Sequence, residues 1–120
     1  MNKLNLFKST LYTIDYKSDF SQALKLYHEK NYHAAITICK FILLNKPNDI
    51  DTLHLFGVNL NEVKNYEFAT LFLNKAISIN PHIAEIYLNI GVSFYNLNQL
   101  IKAVKSYDQA IILKPDLAEA

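Results

Sequence analysis

Arginine and tryptophan are missing from this chain of 120 residues, and glycine (two), proline (three), methionine (one) and cysteine (one) are scarce. Each shortage closes off a class of function. All twelve cationic side chains are lysine and the net charge is only +1. Arginine supplies the planar fork that grips phosphate and guanine, so a nucleic-acid partner is not expected. One cysteine, Cys39, can form no internal disulfide, so nothing requires an oxidising compartment. No apolar run nears the roughly 18 residues of a membrane span. Lysines and polar residues break up the first positions, where a secretory signal would stand. No membrane partner is expected, and cytoplasmic residence is the default. Gly57 and Gly91 are too few and too isolated for a phosphate-cradling loop. His28 and His33 are five apart, about 140° round a helix, too far to share a metal. Asp49, Asp51 and Glu62 read as helix-end and surface charge rather than a catalytic pair, which would need a desolvating pocket. Neither a cofactor, a metal nor an enzymatic activity is expected.

What is present is a period. Pro47, Pro81 and Pro115 stand 34 residues apart, as do Ala35, Ala69 and Ala103, Ala76 and Ala110, and Gly57 and Gly91. Self-similarity of that length marks stacked helical hairpins. In the last full unit, Ile86, Tyr87, Ile90, Phe94 and Leu97 form one apolar stripe. Leu100, Ala103, Val104, Tyr107, Ala110, Ile111 and Leu113 form a second. The short polar turn between them makes the two helices antiparallel neighbours. Glycine within a helix costs about 1 kcal/mol against alanine, so Gly57 and Gly91 point to a close helix crossing. Each proline stops a second helix. Asn48 and Asp116 are expected to cap first helices, with His82 a poorer cap. Helices are predicted near 17–30, 33–45, 49–63, 66–79, 83–97 and 100–113. Cys39 is expected in the core.

These units resemble the tetratricopeptide repeat. Its signature is met by Tyr87, Ile90-Gly91, Phe94, Ala103, Tyr107 and Pro115 in the last unit. Leu53, Phe56-Gly57, Leu60, Ala69, Leu73 and Pro81 meet it in the middle one. The first unit keeps its second helix, with Ala35 and Pro47, but its first helix has drifted. The resemblance implies an all-α, right-handed α-solenoid of three antiparallel hairpins. Residues 16–49 would be a degenerate capping repeat, 50–83 and 84–117 two regular ones, and 118–120 the start of a fourth. Residues 1–15 lie outside the pattern; Leu4, Phe7, Leu11 and Ile14 are spaced for one helical face, and a frayed leader or a helix packed on the first repeat is expected, a docking helix being the functional alternative. Leu117-Ala118-Glu119-Ala120 repeats Ile83-Ala84-Glu85-Ile86, so the chain reads as a fragment. A truncated product, or self-association through the uncapped face of the last helix, is the alternative.

The resemblance further implies a protein-interaction module whose first helices line a concave groove for a peptide or a partner helix. Carried over by register, the groove residues are Phe20, Tyr27, His54, Val58, Asn61, Leu88, Asn89, Val92, Tyr95 and Asn96. Leu24, Asp51 and Glu85 lie on the same face. Members of the family that clamp a C-terminal carboxylate use cations there. Here acids and apolar residues replace them, so such a clamp is disfavoured. The last unit is similar to repeats of O-linked N-acetylglucosamine transferases, which carry a ladder of inward asparagines. Only Asn89 would be a rung. The alternative function is therefore a substrate-presenting arm of a larger enzyme such as a glycosyltransferase.

Overall fold

The apolar stripes form six helices, in three antiparallel hairpins stacked in series. In the computed structural model, which describes residues 15–118, these are α1 (Tyr16–His28), α2 (Tyr32–Asn45), α3 (Ile50–Glu62), α4 (Tyr66–Ile79), α5 (Ala84–Asn96) and α6 (Leu100–Leu113). A 3-10 turn, Pro115–Ala118, follows. The proposed leader helix, apart from Asp15, and the last two residues lie outside the described part. Asp15 caps α1, its Oδ1 accepting from the N–H groups of Lys17 and Ser18. The other two first helices start one residue later than the sequence suggests. Asp49 and Ile83, not Asn48 and His82, are the residues at which α3 and α5 begin. The reason is local: each stays extended, and the Asn80 side chain accepts the His82 N–H at 3.0 Å, holding that residue in the preceding turn. Asp116 lies within the 3-10 turn.

The turns inside the hairpins are built alike without glycine. Lys30, Lys64 and Asn98 occupy the left-handed region, with φ of 62°, 65° and 61°. The following N–H reaches back to Leu26, Leu60 or Phe94, and the left-handed residue's own N–H to Tyr27, Asn61 or Tyr95. That double bond ties off the carbonyls at the helix end.

The glycines lie where the helices of a hairpin cross. A Cβ on Gly57 would overlap the Leu73 side chain, and one on Gly91 would lie 2.6 Å from Tyr107 Cε1. At the same register the first hairpin holds Ala23 and Cys39, both fully buried. A smaller partner on α2 thus accompanies the methyl group on α1. Burial pushes the Cys39 thiol up to about 12, as a core position implies.

Packing then curves the stack. Among the described residues, each hairpin touches only its neighbours, α1 touches α3 and α3 touches α5, but the second helices α2, α4 and α6 do not touch one another. First helices crowd on the inside and second helices splay on the outside. The result is elongated, 57 × 25 × 23 Å, with a radius of gyration of 16.2 Å. A compact domain of this length would measure about 13.5 Å.

Candidate functional site

The crowded first helices build the inner face. Phe20, Leu24 and Tyr27 come from α1, Asp51, His54, Leu55 and Val58 from α3, and Glu85 and Asn89 from α5. Together they line an open groove of about 350 Å³ that crosses all three hairpins. Five of the ten groove residues expected from the sequence are brought together here: Phe20, Tyr27, His54, Val58 and Asn89. Leu88, Val92, Tyr95 and Asn96 lie along α5 outside this pocket, with Leu88, Tyr95 and Asn96 exposed. Tyr95 is 61% exposed, and the Asn96 amide bonds back to the Val92 carbonyl.

Asn61 is not among the residues that line this pocket. It spans from α3 to α5, its Nδ2 donating to the Asn89 carbonyl at 3.0 Å while its Oδ1 accepts from Ser93 Oγ at 2.6 Å. Both ends of its amide are used in joining hairpins. Ser93, fully buried, is the residue the sequence reading missed. Its signal was a hydroxyl on an otherwise apolar helix stripe.

The neighbouring amide sets the protonation of His54. Asn89 Nδ2 lies 2.9 Å from the Glu85 carbonyl, which can only accept, so that nitrogen is correctly placed as the donor. Its second N–H points at His54 Nε2, 2.8 Å away. His54 Nε2 must then accept, which leaves the ring neutral with its proton on Nδ1. The environment agrees: burial lowers the His54 pKa, and the pull of Glu85 and Asp51 only partly opposes it. Glu85 is itself held below the usual carboxylate range, chiefly by its hydrogen bond from Lys114 at 2.7 Å.

The acceptors on the pocket wall are the Asp51 carboxylate, Asn89 Oδ1 and the Glu85 carboxylate, whose Oε1 is already paired with Lys114. The walls between them are apolar. His28 and His33 are both exposed. Among the described residues, no helix is long and apolar enough to cross a membrane.

Comparison with known proteins places the architecture. Residues 84–117 match the family model for the tetratricopeptide repeat. The peroxisomal targeting signal receptor of Candida glabrata is 28% identical over 121 residues, covering 99% of this chain and 20% of the receptor. The chain spans about a fifth of the length of the curated relatives it matches. An O-GlcNAc transferase from Thermobaculum terrenum superposes with a TM-score of 0.81 at 27% identity, over 84% of this chain and 19% of that one. The first TPR of Spaghetti (RPAP3), bound to the HSP90 peptide SRMEEVD, superposes with a TM-score of 0.80 at 19% identity, over 83% of this chain and 79% of that one.

Proposed function

The chain is a tetratricopeptide-repeat protein, and on that premise we propose that it is a non-enzymatic interaction module that holds a peptide or partner helix in its concave groove. One observation carries the proposal: apolar walls and a few fixed polar groups from three successive hairpins converge on one open groove. Phe20, Tyr27 and Val58 offer rigid or branched apolar surface, which dominates contact energetics. Asp51, Glu85 and Asn89 offer acceptors. The matching ligand is a segment with apolar side chains beside a lysine, an arginine or another donor. An acidic peptide like the one held by the RPAP3 domain meets the Asp51 carboxylate and a Glu85 already paired with Lys114, with no cation on the pocket wall itself, and is disfavoured.

Selection of peptides from a random display library on the immobilised chain tests this. Enriched sequences should pair basic with apolar residues, and Val58→Glu should lose them. Enrichment of acidic tails, or retention by Val58→Glu, would count against the groove.

A second reading is favoured by α6. Val104 and Ile111 are 56% and 39% exposed, whereas Ile36 and Leu43, at the same register two repeats earlier, are buried and half-buried where a further hairpin follows. On that reading the described repeats are one arm of a longer protein, a glycosyltransferase being one case. The size of the native polypeptide on an immunoblot decides it: a band near 13.8 kDa excludes the arm.

A further inference from the structure

The hydrogen bond that joins α3 to α5 on the groove wall tolerates only one protonation state of His54. Asn89 Nδ2 donates both its hydrogens, one to the Glu85 carbonyl at 2.9 Å and one to His54 Nε2 at 2.8 Å. A proton on Nε2 would set donor against donor at that distance. Turning the amide over does not cure the clash. Oδ1 would then accept from the ring but face the Glu85 carbonyl, placing two acceptors in contact. Nor can the backbone withdraw, because the Asn89 carbonyl accepts from Asn61 Nδ2 at 3.0 Å and is tied to α3. When the ring gains a proton, the Asn89 side chain must therefore leave it.

The charged and titratable groups around the ring decide what the imidazolium does next. Asp51 lies one turn before it on α3 and Glu85 stands on α5, and both draw a positive charge onto the ring. From α1, the Tyr27 phenol lines the same pocket. Lys17 lies beyond Asp51 in an adjoining pocket with Lys46 and Asp49. Lys114, after α6, holds Glu85 Oε1 and leaves Oε2. The carboxylates that favour a charged ring are thus the same ones that a cationic side chain of a ligand would use.

We propose that His54 gates the concave groove: on protonation it parts from Asn89, takes the Asp51 and Glu85 carboxylates for itself, and so releases a basic segment held there. This rests on the reading of the concave face as the binding surface. Burial keeps the ring neutral near neutral pH, where the groove accepts a basic ligand. Acid supplies the proton and the release. Linkage makes the effect reciprocal, so a bound cation lowers the His54 pKa by the same factor by which the proton weakens binding.

The test uses the full isotope-labelled chain and the most enriched basic peptide of the display selection, chosen without histidine or acidic residues. In the chain alone, the Asn89 side-chain amide signals should move with the midpoint of the His54 ring. Saturating peptide should shift that midpoint to lower pH. Affinity should fall toward acid by at most about tenfold per pH unit, the limit for one exchanged proton. His54→Gln, which cannot titrate, should bind equally at neutral and mildly acidic pH. Asn89 signals that stay put while the ring titrates overturn the proposal. So does a His54 midpoint unmoved by bound peptide, a result that needs no variant to fold, and so does pH dependence that survives His54→Gln. Failure of every basic peptide to bind at neutral pH overturns the reading of the concave face, and is seen before the pH is changed.

Discussion

The two junctions between hairpins follow one backbone plan and differ in chemistry. Where α1 meets α3, the inner positions are Phe20, Tyr27, Leu55 and Asn59. Where α3 meets α5, the same register holds His54, Asn61, Asn89 and Ser93. The first junction is joined mainly by apolar contact, Phe20 and Tyr27 packing against the core cluster that contains Leu55. The second is joined by hydrogen bonds between residues 28 to 35 positions apart. The asymmetry leaves a mark. Ser93 finds Asn61, whereas the Asn59 Oδ1, its counterpart one repeat earlier, is buried among the described residues without a partner. A repeat thus dictates where helices lie, and departures from the repeat dictate what each face can bind. The groove inherits both halves: apolar surface from the first junction and fixed acceptors from the second.

The largest expected effect abolishes the contrast by loosening both junctions at once. α3 belongs to both, and its Gly57 lies on Leu73, which is fully buried and cannot swing away. Gly57→Ala should cost about 2–3 kcal/mol in urea unfolding, overpacking outweighing the gain in helix propensity. Gly91→Ala should cost less, because the half-buried Tyr107 ring can tilt toward solvent. Equal costs would show that burial of the opposing side chain does not govern the penalty. Next, Asn61→Ala breaks the polar junction and strands Ser93, for a loss of about 1–2 kcal/mol. Asn59→Leu makes the first junction wholly apolar. It should raise stability by about 1 kcal/mol, because it removes a buried unpaired carbonyl. A loss there would mean that the Asn59 Nδ2 bond to the Leu55 carbonyl, 2.8 Å long, is worth more than the orphan costs.

The smallest effect appears only as a pH slope. The His54 pKa is lowered in the folded state, so the unfolded chain takes up this proton first as pH falls. Its contribution is complete above the ordinary histidine value of about 6.5 and is lost as the medium becomes more acidic, down through the lowered folded value. His54→Phe gives the second junction the residue of the first and should flatten that slope between neutral and mildly acidic pH. An unchanged slope would assign it to other groups.

Much of this was legible from the period alone. The number and order of the helices and the crossing of Gly57 and Gly91 with their opposing helices follow from contacts that recur every 34 residues, and the core place of Cys39 from the family resemblance. Half of the expected groove residues converge for the same reason. The first-helix caps were not legible, because Asn80 competes for the His82 N–H and the chain stays extended for one residue more. Nor was the role of Asn61. Its partners lie on the next hairpin, and nothing within one repeat predicts a pairing between two positions that both break the pattern.

Amide shift mapping of the isotope-labelled chain, titrated with a peptide selected for basic and apolar content, tests the central claim most directly. Perturbations should concentrate on Phe20, Leu24, Val58 and Asn89, across α1, α3 and α5. Saturable binding with the shifts confined to α2, α4 or α6 would contradict it.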